Sequence, residues 1–467
     1  MSFIAYDIIL LVVFTLITTL FLYSRRKHLQ RQGILYLYRT SIGVKIIDST
    51  AKRYHKILNV LQYLVITCGY ALMGIVIGFV AKGSYSYLKS PTLAKEIGAP
   101  LLLPLVPYVD KLVGNGLLPP FYFTYWIIII AAIAIPHEFA HGIFARFHKI
   151  KVHSTGFGFL GPFLAAFVEP DEKQTNKSKK VSQLSILAAG TFANILMGIL
   201  FTLVLWLFFA LAFSPAGVYF TSYSTSLVNV SDIKTIEGLP FSNTLTLDST
   251  NITLLKLISV NGEVFFIPPS SLEKNLNSNL TAIYAYDDSP ALNAKLSGAI
   301  TEIDGKKIIS LKELRAEIQS HSPGDSINIK TISQSEEVKE FNINLGERDG
   351  KAFLGIGTAS PAQGGLRGLI SLIAWKIKNP LIYYQSVIGG FGIFIFDLLW
   401  WLILISLSVA FFNMIPMGLF DGGRFFYLTV LGLTGSKKIA ETAFKISTWA
   451  ILSIVFLLMF KWLLIFF

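Results

Sequence analysis

The sequence has one cysteine, Cys68, in 467 residues, and only 15% of its residues are charged. A single thiol excludes an intrachain disulfide framework and any cysteine-based zinc site, so a metal here would be held by histidine and carboxylate. Soluble globular domains are roughly 25% charged. The shortfall, with 53% hydrophobic residues and a mean hydropathy of +0.59, excludes a soluble globular chain and defines a polytopic membrane protein. Histidine is also scarce, at seven residues, so any histidine pattern is informative. The charge that is present is basic, net +12. In a membrane chain lysine and arginine collect in cytoplasmic loops against anionic lipid, so the excess points to membrane lipid and not to nucleic acid.

Long apolar runs are abundant. At ~20 residues per crossing, six spans are predicted, at residues 3–23, 57–81, 122–147, 183–213, 388–415 and 440–466. The first has Arg25, Arg26, Lys27 and Arg31 after it and no Lys or Arg before it. That is the reverse of a cleavable signal peptide, so a retained span with its N-terminus outside is expected. Lys and Arg number nine from Arg25 to Lys56 and seven from Arg146 to Lys180, against four from Lys82 to Lys111. The bias puts the first two loops inside and both termini outside.

The predicted fold is an α-helical polytopic membrane protein of about six transmembrane helices with an inserted extracytoplasmic α+β domain. Four parts are expected: an N-terminal hairpin of spans with a basic loop and a Pro-rich loop (1–120), a core with the chemistry (121–214), the inserted region (215–365) and a C-terminal core (366–467). Three sequons in the insert, at Asn229, Asn251 and Asn279, agree with export; a fourth, at Asn176, falls on the predicted inner side. From Ser289-Pro290-Ala291 the insert reads as a short amphipathic stretch, a strand-turn-strand from Ala299 to Ile308, a helix from Leu311 to Gln319, a Pro323-Gly324-Asp325 turn, and strands around Ile327, Ile329 and Phe341. This order, over about residues 280–358, resembles a PDZ domain of membrane-associated and periplasmic proteases, which implies a groove for a peptide or a C-terminus. Residues 216–276 are polar and strand-prone, without an assignment.

The third predicted span carries His137-Glu138-Phe139-Ala140-His141. On a helix, residues i and i+4 share a face, so both imidazoles can meet one Zn²⁺ while Glu138 points at the water to be activated. With seven histidines, chance gives about 0.1 pairs at this spacing, and well under about 0.01 with Glu in its place. Two core histidines and a carboxylate in hydrocarbon are costly without a metal or partners. A third protein ligand is then needed, and Asp397 and Asp421 are the candidates. Asp421 follows Asn413-Met414-Ile415-Pro416 and precedes Gly422-Gly423, where an interrupted helix can turn a side chain inwards; it is preferred, and Asp397 reads as a local hydrogen-bond or pore residue. Two irregular segments flank this chemistry: the Pro-rich loop Pro91–Pro120, read as interfacial or re-entrant, and Val152–Glu169, with Gly156, Gly158 and Gly161, read as a hairpin dipping to the membrane.

With these motifs in view, the chain resembles the site-2 protease family of intramembrane zinc metalloproteases from about residue 122 onwards. The match rests on His137-Glu138-x-x-His141, on Gly190-Thr191-Phe192-Ala193-Asn194, and on Asn413-x-x-Pro416 with Asp421-Gly422. Phe420 and Thr191 stand where the family usually has Leu and Pro, departures that touch no ligand. The resemblance implies zinc on His137, His141 and Asp421, with Glu138 as catalytic acid/base. Asn194 is expected to donate to the developing oxyanion or to the substrate backbone, Asn413 and Pro416 to hold substrate backbone, and the hairpin near Gly158 to pair with an unwound substrate strand. Substrates would be transmembrane proteins, cut in the cell membrane by regulated intramembrane proteolysis, with the PDZ-like domain outside the cytoplasm. The alternatives are a catalytically inactive PDZ-bearing scaffold and a metal transporter; the intact ligand and base set argues against the first, and the absence of acids on several spans or of paired repeats against the second.

Overall fold

Apolar side chains on every face let a helix sit in hydrocarbon with its backbone bonds satisfied internally. Among the described residues of the computed structural model, six helices are long and apolar enough to cross a membrane. The structure describes residues 3–464 apart from 33–34, 91–104, 113–117, 161–162, 242–252, 278–279, 334–335, 361–363, 365–367, 369–370, 373–374 and 376–377. It divides into two compact units, Met1–Phe209 with Ile393–Phe467, and Ala210–Gly392.

The first unit is built from α1 (Phe3–Ser24), α2 (Val44–Arg53), α3 (His55–Lys89), α4 (Phe123–Phe147), α5 (Glu172–Lys177), α6 (Lys180–Ala212), α7 (Gly390–Asn413), α8 (Asp421–Thr434) and α9 (Lys437–Leu463). The long ones are α1, α3, α4, α6, α7 and α9, and each coincides with a predicted span. Two of them are capped from outside. Asp7 of α1 is buried and accepts hydrogen bonds from the Phe123 and Thr124 amides at 2.8 and 2.9 Å and from the Thr124 and Tyr108 hydroxyls at 2.6 and 2.7 Å. The first amides of a helix have no intrahelical acceptor, so a carboxylate that would be costly alone completes the start of α4. At the end of α3, Lys461 of α9 donates to the carbonyls of Tyr87, Leu88 and Ser90 at 2.6–2.9 Å.

Among the described residues this unit also has four strands, β1 (Leu29–Gln32), β2 (Leu35–Thr40), β3 (Val152–Leu160) and β4 (Phe163–Pro170), in the order β1-β2-β3-β4. β3 and β4 form the hairpin expected over Val152–Glu169; β1 and β2 come from the basic loop, for which the sequence predicts no strands. A Cβ at Gly156 would lie 2.2 Å from the Tyr38 carbonyl oxygen and 2.7 Å from the Phe167 ring, which is why glycine stands there. Arg39 of β2 reaches over β3 to Glu169 of β4, with both bonds at 2.9 Å. α2 packs on α4 through Ile47 at Gly142 and through an Asp48–Arg146 ion pair. Gly161 and most of the Pro-rich loop lie outside the described residues.

The second unit holds the inserted region. From Pro290 its elements follow the predicted order: a short helix Pro290–Asn293, strand Ala299–Ile303, strand Lys306–Lys307, helix Leu311–Ser320, and strands Ser326–Ile332 and Val338–Asn344. Asp304 and Gly305 have φ of 48° and 84°, the left-handed pair that a two-residue hairpin turn requires. The Ser310 hydroxyl caps the helix by accepting the Glu313 amide. Strands Phe213–Val218 and Ile382–Ser386 extend this sheet. The unassigned stretch forms a second, six-stranded sheet with Ala282–Asp287 around its own core of Val228, Ile236, Leu255, Leu257 and Ile283. Strand Ala282–Asp287 therefore belongs to that sheet, although the sequence reading begins the PDZ-like segment at about 280. Asn229 is exposed at the end of a strand; Asn251 and Asn279 lie outside the described residues.

Candidate metal centre

One turn of α4 separates His137 from His141, and their imidazoles meet edge to face, with the two Nε2 atoms 3.1 Å apart. Asp421 brings Oδ2 to 3.6 Å from His137 Nε2 and 3.3 Å from His141 Nε2. These three atoms all lie within 4.8 Å of one another. Each offers a lone pair towards the others, an arrangement that is repulsive without a shared cation or proton. Two imidazole nitrogens and a carboxylate oxygen are a donor set that zinc accepts.

The delivery of Asp421 depends on close backbone packing. The chain leaves α7 at Asn413, turns through buried Met414–Met417 and re-enters a helix at Asp421. A Cβ on Gly422 would meet the Met414 carbonyl carbon at 2.4 Å, and one on Gly423 the Met417 carbonyl oxygen at 2.2 Å. The two glycines let the first turn of α8 lie against that turn. Asp397 is not among the clustered ligands.

α6 supplies the wall behind the histidines. His141 Nδ1 is 2.6 Å from the Ile186 carbonyl oxygen, and His137 Nδ1 is 3.0 Å from Asn194 Nδ2. Midway between them, a Cβ on Gly190 would fall 2.4 Å from His141 Nε2 and 2.7 Å from His137 Nε2. Residues 186, 190 and 194 recur every four positions and so lie on one helix face. The Gly-x-x-x-Asn spacing is thus one seat for two imidazoles.

Glu138 Oε2 accepts the Val168 amide of β4 at 3.1 Å. Among the described residues, two cavities adjoin this carboxylate. One, of about 350 Å³, is walled mainly by apolar residues including Leu105, Ile129, Ile133 and Val409, and also by His137, Glu138, Asn413 and Asp421. The other, of about 230 Å³, includes Glu138, His141, Thr175, Gln183, Asp421 and Arg424. Asn413 Nδ2 lies 3.4 Å from His137 Nε2, on the cavity side of the ring.

Three expected site residues stand elsewhere than the sequence suggests. Asn194, expected at an oxyanion, is 0% exposed and faces the far nitrogen of His137. Pro416, expected to hold substrate, is buried in the turn before α8, with its carbonyl taken by the Ser447 hydroxyl at 2.8 Å. Gly158 lies inside the sheet, paired with Leu37 on one side and Ala165 on the other, so its backbone is not an open edge. β4 is the terminal strand, and its Val168 amide is the one at Glu138. The parts of the centre that sequence reasoning missed, Ile186 and Val168, act through backbone atoms and leave no side-chain signature.

A pair of imidazoles and a carboxylate converging beside a glutamate, among helices of membrane length, defines a candidate metallohydrolase centre in a multi-pass membrane protein. The family model for peptidase family M50 matches residues 125–459, and the chain belongs to that family, whose metallopeptidases are in general zinc-dependent. It is also 28% identical over 196 residues to an uncharacterized protein of Methanocaldococcus jannaschii, covering 40% of this chain and 48% of that one. The chain thus spans about half the length of the curated relative it matches.

Proposed function

We propose that this chain is a zinc-dependent endopeptidase that hydrolyses peptide bonds within transmembrane segments of membrane proteins. The observation that carries the reading is the convergence of His137, His141 and Asp421 beside Glu138 at the apolar cavity. Zinc held by those three residues would supply the Lewis acidity that makes water a competent nucleophile near neutral pH and polarises a carbonyl. Glu138 takes the proton as water oxygen adds to the peptide carbonyl carbon, then passes it to the amide nitrogen as the carbon–nitrogen bond breaks. The Val168 amide fixes one oxygen of that carboxylate. Asn413 stands where its amide can donate to the carbonyl oxygen, a role worth about 2.7–4 kcal/mol in oxyanion holes.

Helical amides are hidden by their own i→i−4 bonds, so a substrate span has to unwind before it is cut. The apolar cavity suits hydrophobic side chains of such a strand, and the outer edge of β4 suits its backbone. The cavity with Thr175, Gln183 and Arg424 gives water a polar route to Glu138 from the side that the positive-inside bias makes cytoplasmic. In the same frame the second unit lies outside the cytoplasm of the cell membrane, with a PDZ-like peptide site. A 150 Å³ groove between helix Leu311–Ser320 and residues 352–358, walled by Leu314, Ile318, Leu354 and Ile356, supports an apolar peptide or C-terminus there.

The test is cleavage of a panel of single-span peptides by the purified chain in liposomes, with wild type, Glu138→Gln and a zinc chelator compared. Cuts inside the span that need both Glu138 and metal are expected. A zinc-loaded wild type that cuts none of a broad panel would favour a binding scaffold.

A further inference from the structure

We propose that Asn194 is a positioning residue for the metal ligand His137, its carboxamide oxygen accepting the Nδ1 proton; this rests on the metal reading of His137, His141 and Asp421. A neutral imidazole carries one N–H, and the nitrogen without it is the one that can bind a metal. His137 turns Nε2 towards His141 and Asp421, so metal binding there puts the proton on Nδ1. The group facing Nδ1 must then be an acceptor.

Asn194 is the residue at that position. It is wholly buried, and Nδ2 lies 3.0 Å from His137 Nδ1, while Oδ1 is buried with no hydrogen-bond partner among the described residues. A half-turn about Cβ–Cγ exchanges the two ends of a carboxamide within the same volume. Metal at Nε2 therefore selects the orientation in which Oδ1 meets Nδ1–H and the orphaned acceptor gains its bond. His141 has the equivalent arrangement, with Nδ1 on the Ile186 carbonyl oxygen at 2.6 Å. One face of α6 thus presents an oxygen to the outer nitrogen of each ligand, and Gly190 leaves room for both rings between them.

The same geometry opposes a role at the oxyanion. The cavity that adjoins His137 and Glu138 includes Asn413 among its lining residues and does not include Asn194. An amide committed to the outer nitrogen of His137 tunes how firmly the ring holds metal and meets no reacting atom.

Zinc affinity of the full chain in detergent, measured by competition with a chromophoric chelator, tests this without reference to turnover. Loss of an outer-shell partner of a metal-bound histidine costs 10–100-fold in affinity as a rule. Asn194→Leu, close in size but without an acceptor, is expected to bind zinc about 10–100-fold more weakly than wild type. Asn194→Asp, which keeps an oxygen at Nδ1, is expected to bind as well as wild type or better. Wild-type affinity in Asn194→Leu, with only cleavage impaired, would overturn the inference, as would a loss of that size in Asn194→Asp, which also decides the matter if the leucine variant does not fold. A wild type that takes up no zinc would remove the metal reading itself, an outcome separate from equal zinc binding by all three proteins.

Discussion

His137 meets a carboxamide on either side of its ring, and the two differ in burial more than in chemistry. Asn194 stands in a wholly buried seat at Nδ1, whereas Asn413 stands near Nε2 on the wall of a cavity. The closed face, formed by α6, can set where the ligands sit. The open face, formed by the end of α7 and the edge of β4, can meet water and substrate. On the proposed reading, burial gives the same side chain a part in geometry in one place and in chemistry in the other. Substitutions on the closed face should move metal affinity first, and those on the open face turnover with metal unchanged.

Gly190→Ala is expected to have the largest effect because it damages the closed face at its centre. Its methyl would lie 2.4 Å from a ligand nitrogen and 2.6–2.7 Å from atoms of the other ring, distances that side-chain contacts essentially never show. Displacing both imidazoles should remove stoichiometric zinc and all cleavage, read by metal analysis of the purified protein. Retention of zinc at wild-type affinity would mean that α6 yields, and that the closed face does not fix the site.

Asn413→Ala is the matching change on the open face. A lost oxyanion-hole donor costs about 10²–10³-fold in kcat, and that is the expected fall, with zinc affinity within error of wild type. If zinc affinity falls as much as in Asn194→Leu, the distinction between the two amides collapses.

How far this contrast could be read in advance follows from where the signals lie. The six spans are legible because an apolar run of about 20 residues has few other uses, and the clustering of the candidate ligands because His137 and His141 carry helical i, i+4 spacing and Asp421 sits at an interrupted helix. The motif containing Gly190 and Asn194 shows that a small residue and an amide share a helix face, but not which nitrogen of which histidine they meet. Val168 and Ile186 contribute backbone atoms, which any residue could supply. The sequence leaves Gly158 on an open edge because nothing in Leu35-Tyr36-Leu37-Tyr38 announces a partner about 120 residues away; that β-prone run becomes β2 and covers the edge. The second sheet of the inserted unit is harder to assign for a similar reason, since its strands are short and its first, Thr225–Asn229, pairs with Ala282–Asp287 more than 50 residues away.

The smallest effect should come from the ion pair that ties β2 to β4, which acts on the open face only at one remove. Arg39 and Ser154 hold the Glu169 carboxyl below its usual range by hydrogen bonding and charge, next to the residue whose amide grips Glu138. Both partners are about a third exposed, so the pair is worth roughly 0.2–1 kcal/mol. Arg39→Gln should therefore lower kcat no more than about 5-fold and leave zinc affinity alone. Because the folded carboxyl titrates below the unfolded value of about 4.3, the pair's contribution is complete above that pH and disappears as pH falls through the lower folded value. Limited proteolysis of the β3–β4 hairpin should accordingly show wild type better protected than Arg39→Gln at neutral pH, with the gap closing only below about pH 4. Equal protection at neutral pH would show that β4 is held in place without the Arg39–Glu169 pair.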